Sequence, residues 1–330
     1  MNVDLYVALL NNYLTYNEYN EENIISKKDD ISYSITHFRF ESHSNQPLKY
    51  GDIPNSVTYL RFGCSFNQPL NEGDIPNRIT HLKLGYSFNQ PLKEKAIPNS
   101  VTHLIFGHCF NQSLKKGDIP NSVTHLEFGN CFNRQLNKKV IPNSVTHLTF
   151  GNNFNQLLKA DDIPNSVTHL RFGNSFNQPL KEGDIPNSVI NLRFGHYFNQ
   201  PLKEGDIPNK IMYLRFGSTF NQELNYYITN NLIELIISGN YRISKLKSNK
   251  NILIGINYHH IYILYNEYYI KISNEKKMKF DNNISNMNLN KLKGRIIMKE
   301  LVEKVFHPTR LLNISNQYNI DFIDLVDIYS

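Results

Sequence analysis

The stretch Ile-Pro-Asn-Ser-Val-Ile-Asn-Leu-Arg-Phe-Gly-His-Tyr-Phe-Asn-Gln-Pro-Leu-Lys-Glu-Gly-Asp, residues 185–206, is one unit of a pattern that repeats every 22 residues. The unit occurs eight times from residue 53 onward without an insertion or deletion, and the tripeptide Ile-Pro-Asn opens every copy. A fixed period of this length indicates a solenoid, in which each repeat forms one coil that packs against its neighbours. A single coil buries too little apolar surface to offset the entropy lost on ordering it, so the coils must stack.

Apolar residues recur at six positions of the unit, which we call columns and name by their first member: Ile53, Val57, Leu60, Phe62, Phe66 and Leu70. The alternation at the end of residues 57–62 predicts a short strand with one buried face. Gly63 and its copies follow the strand, which indicates a positive φ or a close backbone approach. Prolines such as Pro69 exclude a regular helix from most of the return segments. The sequence predicts a continuous parallel sheet with mostly non-helical returns.

Two columns of asparagine, beginning at Asn55 and Asn67, run the length of the array. Stacked at about 4.8 Å per coil, their amides could bond to the next coil and to turn backbone. We expect both columns to satisfy polar groups of the non-helical returns.

The 22-residue repeat becomes degenerate toward both ends of the chain. Degenerate copies begin at residues 31 and 228, and short apolar stripes at helical spacing occur in residues 3–14 and 297–306. The predicted organisation is an N-terminal helical cap at 1–30, a repeat array at 31–240, a Lys- and Tyr-rich β extension at 241–294 and a small C-terminal helical cap at 295–330.

Composition narrows the class of protein. The net charge is +6, with 35 Lys and Arg against 29 Asp and Glu, which is mild for a nucleic-acid-binding protein. The three cysteines, Cys64, Cys109 and Cys131, have no ligand-like spacing and favour a reducing, intracellular compartment. The N-terminus lacks the basic start of a signal peptide, and no run of 18 apolar residues occurs. We expect a monomeric intracellular protein that needs no cofactor or metal and does not associate with membranes.

The Phe66-Asn67 and Ile53-Pro54 pairs, repeated along the array, resemble the FNIP repeat, which is classed with leucine-rich repeats. The resemblance implies a curved solenoid whose parallel sheet lies on the concave side. FNIP-repeat proteins are found chiefly in social amoebae and in giant viruses of amoebae, so a viral origin would imply the host cytoplasm and an interaction between virus and host. The family has no established enzymatic activity.

Several giant-virus members of this family carry an F-box before the repeats and are taken to be ubiquitin-ligase adaptors. Only about 30 residues precede the first degenerate repeat here, fewer than a three-helix F-box needs. Two alternatives therefore stay open beside a plain binding scaffold: a degenerate ligase adaptor that docks through residues 1–25, and weak nucleic-acid binding through residues 241–294.

If the strand lies as predicted, the columns that begin at Thr58, Tyr59, Arg61 and Cys64 face the concave surface. One is mostly histidine and favours a contact surface over a metal site, because stacked rings all point the same way. The Arg61 and Cys64 columns vary more, and together they form a polar face with a basic C-terminal half that suits an acidic protein surface. We predict a non-enzymatic protein-interaction scaffold. The predicted contact residues are Tyr59, Arg61, His81, Lys83, His103, His125, Glu127, His147, His169, Arg171, Arg193, Tyr213 and Arg215.

Overall fold

A computed structural model describes residues 35–238, Tyr241, residues 245–246 and the backbones of three further strands between residues 252 and 272. The predicted helical caps at 1–30 and 295–330 lie outside the described residues. Most of the predicted β extension at 241–294 also lies outside the described residues. Only Tyr241, residues 245–246 and the backbones of its three strands are described.

The described chain is a stack of short strands joined by long irregular segments, with one short helix. The elements are β1 His37–Arg39, β2 Tyr59–Arg61, β3 His81–Lys83, β4 His103–Ile105, β5 His125–Glu127, β6 His147–Thr149, β7 His169–Arg171, β8 Asn191–Arg193, β9 Tyr213–Arg215, α1 Tyr226–Thr229, β10 Glu234–Ile237, β11 Ile252–Ile256, β12 His260–Tyr265 and β13 Tyr268–Ile272. They form one sheet in chain order. Strands β1 to β11 run parallel, whereas β12 and β13 pair antiparallel.

The core is a set of continuous apolar columns, as the period predicts. The middle residue of each strand from β2 to β9 points inward and is buried, while its two neighbours keep solvent contact. Leu60 is 0% exposed and lies opposite Leu82 on the next strand. The Phe66 column stacks ring on ring through the array. The continuous parallel sheet with non-helical returns is therefore confirmed.

One of the two asparagine columns forms the expected ladder between coils. The Asn89 backbone N–H donates to Asn67 Oδ1 at 2.8 Å, and Gln90 Nε2 donates to the Asn67 carbonyl at 3.1 Å. The N–H contact recurs in every coil from Asn45 to Asn221. The contact to the asparagine carbonyl recurs up to Asn177, with Arg134 in place of glutamine in one coil. These amides satisfy backbone groups that the irregular returns leave outside any strand.

The expectation for the second asparagine column was wrong. Asn55 and its copies are exposed, and no side-chain hydrogen bond joins them within the described residues. They sit at the tip of a turn, closed by the Val57 N–H donating to the Pro54 carbonyl, that faces solvent. The serine one position later makes the contact between coils instead: Ser100 Oγ donates to the Ile79 carbonyl at 2.7 Å.

Glycine follows each strand because the coils approach closely, not because φ is positive. A Cβ on Gly107 would lie closer than 3.0 Å to the Gly85 carbonyl oxygen, a separation that real Cβ atoms essentially never show. Positive φ occurs in a different column, on the return segment. Glycine fills five of its eight positions, and Lys95, Lys139 and Asp161 fill the others.

The array continues beyond its last regular unit. Leu235 in β10 pairs with Leu214, so the degenerate copy that begins at residue 228 is one residue shorter than the regular period. Thr229 stands where the eight regular copies have proline and is fully buried at the end of α1. Among the described residues no helix is long and apolar enough to cross a membrane.

Candidate functional site

The distance between stacked rings of neighbouring coils changes with depth in the solenoid. Imidazole rings on the solvent side of the sheet have centroids 4.1–4.2 Å apart. From Phe106 to Phe216, in the column just beneath the sheet, the spacing is 5.3–5.6 Å. In the Phe66 column, beyond the glycine, it is 6.0–6.3 Å. The coils converge on the solvent side of the sheet, which is therefore the concave face.

The first residue of each strand builds a histidine column on this face. Its members are His81, His103, His125, His147 and His169, with interplanar angles of 10–14°. Each Nδ1 lies 2.9–3.0 Å from Oγ1 of the preceding threonine. That hydroxyl in turn lies 3.2–3.3 Å from the threonine carbonyl one coil back. The contacts hold all five rings in one orientation.

Four of the five stacked rings are neutral at neutral pH. Burial lowers the pKa of His81, His103, His125 and His147, and nearby imidazoles lower it further. The pKa of His103 falls to about 4. Repulsion between imidazoles on nearby coils also makes joint protonation of the stacked rings unfavourable. These four rings offer polar and aromatic edges without positive charge until the solution is acidic.

The geometry of this column does not suit a metal ion. Ligands of one zinc ion converge on it at about 2.0–2.1 Å from nitrogen, whereas parallel rings held on threonine at Nδ1 do not converge. Within the described residues, no group of three or more His, Cys, Asp or Glu side chains is placed to hold a metal. The arrangement is suited to contact, not to coordination.

The third residue of each strand builds a second column, and its charge changes along the solenoid. Arg61 and Lys83 lie at the N-terminal end, and Arg171, Arg193 and Arg215 lie in direct register on β7 to β9. We call these last three the arginine column. Burial lowers the pKa of Arg215 to about 10, with a further contribution from the other two guanidinium groups and an opposing one from Glu234. Like charges directly opposite on neighbouring strands destabilise a sheet.

A groove of about 380 Å³ runs along the concave face over the C-terminal coils. One wall is the arginine column, extended toward the N-terminus by Thr149 and Glu127. The other wall consists of Asn130, Asn152, Asn174, His196 and Ser218. The floor includes Gly151, Gly173, Gly195 and Gly217. We call it the Arg–Asn groove. Its walls are two sequence columns only three residues apart.

All of the predicted contact residues occupy first or third positions of β2 to β9, and none of them is fully buried. The structure brings them together as two adjacent columns on one face. Neither the groove nor its floor was predicted from the residues. The recurrence of glycine after each strand was the available signal, since glycine where coils meet places no side chain between the two walls.

A continuous parallel sheet on a concave face, built from repeats with buried leucine and phenylalanine columns, defines a leucine-rich-repeat-like solenoid. Residues 23–65, 66–109, 110–153, 154–197 and 198–239 match the FNIP Repeat family. These matches cover more than half of the chain, which therefore belongs to the FNIP repeat family. The comparison with curated proteins finds no match.

A solved structure with a similar fold is that of CroV588, a protein of the giant virus Cafeteria roenbergensis virus, described as a novel circular LRR protein structure. The two chains are 37% identical, with a TM-score of 0.61. The match covers 71% of this chain and 38% of CroV588. The present chain thus spans well under half the length of that relative.

Proposed function

We propose that this protein is a non-enzymatic scaffold that binds a protein partner, as a monomer, through the concave face of the solenoid. The fold supports this proposal, because repeat solenoids expose extended concave surfaces that suit binding. The face carries two ordered columns of polar side chains and, within the described residues, no cluster placed to hold a metal.

The observation that carries the proposal is the register of the arginine column. Arg171, Arg193 and Arg215 occupy adjacent strands, where their mutual repulsion opposes folding. Carboxylates of an acidic partner surface would offset this repulsion. Charge complementarity of this kind also accelerates association and selects partners. The proposed partner therefore presents carboxylates to the C-terminal half of the face.

The test is quantitative affinity capture from amoebal lysate with three forms of the chain: wild type, R171E/R193E/R215E, and the matched control K159E/K181E/K203E. The control lysines recur at the same period in adjacent coils but lie exposed on the return segments. We expect at least one protein to be captured by the wild type and the lysine control but lost from the arginine variant. Capture that the arginine substitutions leave undiminished would refute a site on this half of the face.

The two alternatives rest on other parts of the chain. Docking of a ubiquitin-ligase subunit would use residues 1–25, which lie outside the described residues. Nucleic-acid binding would use residues 241–294, for which the structure describes mainly strand backbone. Ligase subunits in the captured material would favour the adaptor. Nucleic acid whose capture weakens with added salt would favour nucleic-acid binding.

A further inference from the structure

The charge along the Arg–Asn groove is not uniform. Glu127 stands near the N-terminal end of the wall, Thr149 follows on the next coil, and the arginine column follows that. At about 4.8 Å per coil, Glu127 lies roughly 10 Å from Arg171, and the three arginines span roughly another 10 Å. A ligand that fits the whole wall would carry opposite charges at its two ends.

The width of the groove determines what shape of ligand it can hold. Its walls arise from residues three apart in the chain, such as Arg171 and Asn174, so their Cα atoms are at most about 10 Å apart. Side chains on both walls narrow the opening further. A helix with its side chains is about 10–12 Å across, which is too wide. An extended chain fits between the walls.

The second wall suits a peptide backbone. Asn152 and Asn174 are exposed there, and a carboxamide both donates and accepts hydrogen bonds. An extended segment has backbone N–H and C=O groups available for such contacts, whereas a helix has already paired its own. This wall can therefore form hydrogen bonds with a backbone of any sequence. The opposite wall, formed by the arginine column and Glu127, selects for the charge of the side chains.

We propose that the Arg–Asn groove holds an extended segment of the protein partner, lying along the solenoid axis across the strands, with two carboxylates at the arginine column and a basic side chain at Glu127. This inference rests on the proposed function and specifies the partner's chemistry. Side chains on one face of an extended chain recur every two residues, or about 6.6 Å. Two carboxylates at that spacing reach three guanidinium groups. A basic residue four positions from the nearer carboxylate, about 13 Å away, reaches Glu127.

A single-stranded nucleic acid fits the groove less well. Its uniform negative charge would meet Glu127 at one end, and Glu127 is exposed on the face. The mixed charge of the wall therefore favours a peptide.

The experiment measures binding of labelled peptides to the full chain by fluorescence anisotropy at low ionic strength. The probe has the pattern Lys-Ser-Ser-Ser-Glu-Ser-Glu, tested in both chain directions because the groove fixes no direction. The control peptide has the same composition with the lysine between the two glutamates. We expect the probe to bind at least tenfold more tightly than the control. R171E/R193E/R215E should lose this binding, and K159E/K181E/K203E should retain it.

A charge exchange gives an independent readout of the Glu127 end. The E127K variant should bind the probe more weakly, and should bind a peptide with glutamate in place of the lysine more tightly than the wild type does. Equal affinity of the wild type for probe and control, or no response to E127K, would overturn the inference. Tighter, arginine-dependent binding of oligothymidylate would assign the groove to nucleic acid instead. If peptide binding fails while arginine-dependent protein capture persists, only the extended segment is refuted; if both fail, so is the proposed function.

Discussion

A Cβ atom added to Gly151 would lie closer than 3.0 Å to the carbonyl oxygen of Gly129, the equivalent residue one coil earlier. The same relationship recurs from Gly63 to Gly217. It shows that the coils are in backbone contact just beyond each strand, where no side chain can be inserted. Because this contact also forms the floor of the Arg–Asn groove, the stability of the stack and the shape of the groove depend on the same atoms.

The first prediction concerns this glycine column. Gly151→Ala forces a backbone carbonyl to move, so we expect the free energy of unfolding to fall by about 3 kcal/mol. Gly117→Ala is the matched control, since Gly117 has φ +96° but nothing within 4 Å of an added Cβ. That change should cost only about 1–2 kcal/mol, from backbone strain. Urea denaturation checks both, and equal losses would contradict a steric origin.

The second prediction is a stabilising substitution. Lys139 has φ +66° in a column where most copies are glycine, and a left-handed conformation costs a non-glycine residue about 1–2 kcal/mol. Lys139→Gly should therefore raise the urea midpoint, with a gain of about 1 kcal/mol. Lys116→Gly, at a turn position that lacks positive φ, should lower it. A loss of stability in Lys139→Gly would show that its backbone is not strained.

The third prediction separates the two asparagine columns. Asn89 Oδ1 accepts the Asn111 N–H at 2.9 Å and Gln112 Nε2 at 3.2 Å. Asn89→Ala leaves a partly buried donor without its acceptor and should cost about 1–3 kcal/mol. Asn89→Asp keeps the acceptor and should cost less. Asn99→Ala, in the exposed column, should change stability by less than about 0.5 kcal/mol. Similar losses from Asn89→Ala and Asn99→Ala would contradict the ladder.

The fourth prediction is a pH dependence of stability. The folded-state pKa of four stacked histidines lies below the ordinary value of 6.5. The unfolded chain therefore binds more protons as the pH falls below 6.5, so this contribution destabilises the fold progressively toward the pKa of His103 at about 4. We expect the thermal unfolding midpoint to decrease as the pH is lowered from about 7.5 to about 5.

The control for this pH dependence comes from the chain itself. Asn191 occupies the same column in β8, so asparagine is compatible with the position. Replacement of His81, His103, His125 and His147 by asparagine should reduce the slope of midpoint against pH. An unchanged slope would assign the acid sensitivity to other groups.

Several features were predictable from the residues because they follow from periodicity alone. A buried face at Leu60, partly exposed neighbours at Tyr59 and Arg61, and close approach as one reason for Gly63 all follow from alternation and a fixed repeat. The prediction that the Asn55 column bonds to the next coil failed for a local reason. Both asparagine columns look alike in sequence, and only the direction of the turn decides that one faces solvent while the other reaches the next coil.

The 22-residue period was sufficient to determine the stack, its register and the identity of the side chains on the exposed face, because equal repeats without insertions can superimpose in only one register. The curvature and the Arg–Asn groove depended on the folded molecule. Both arise from how closely successive coils approach at each depth, from 4.2 Å between imidazoles to 6.1 Å between deeper phenylalanine rings. That difference is set by packing between whole coils, and no single repeat encodes it.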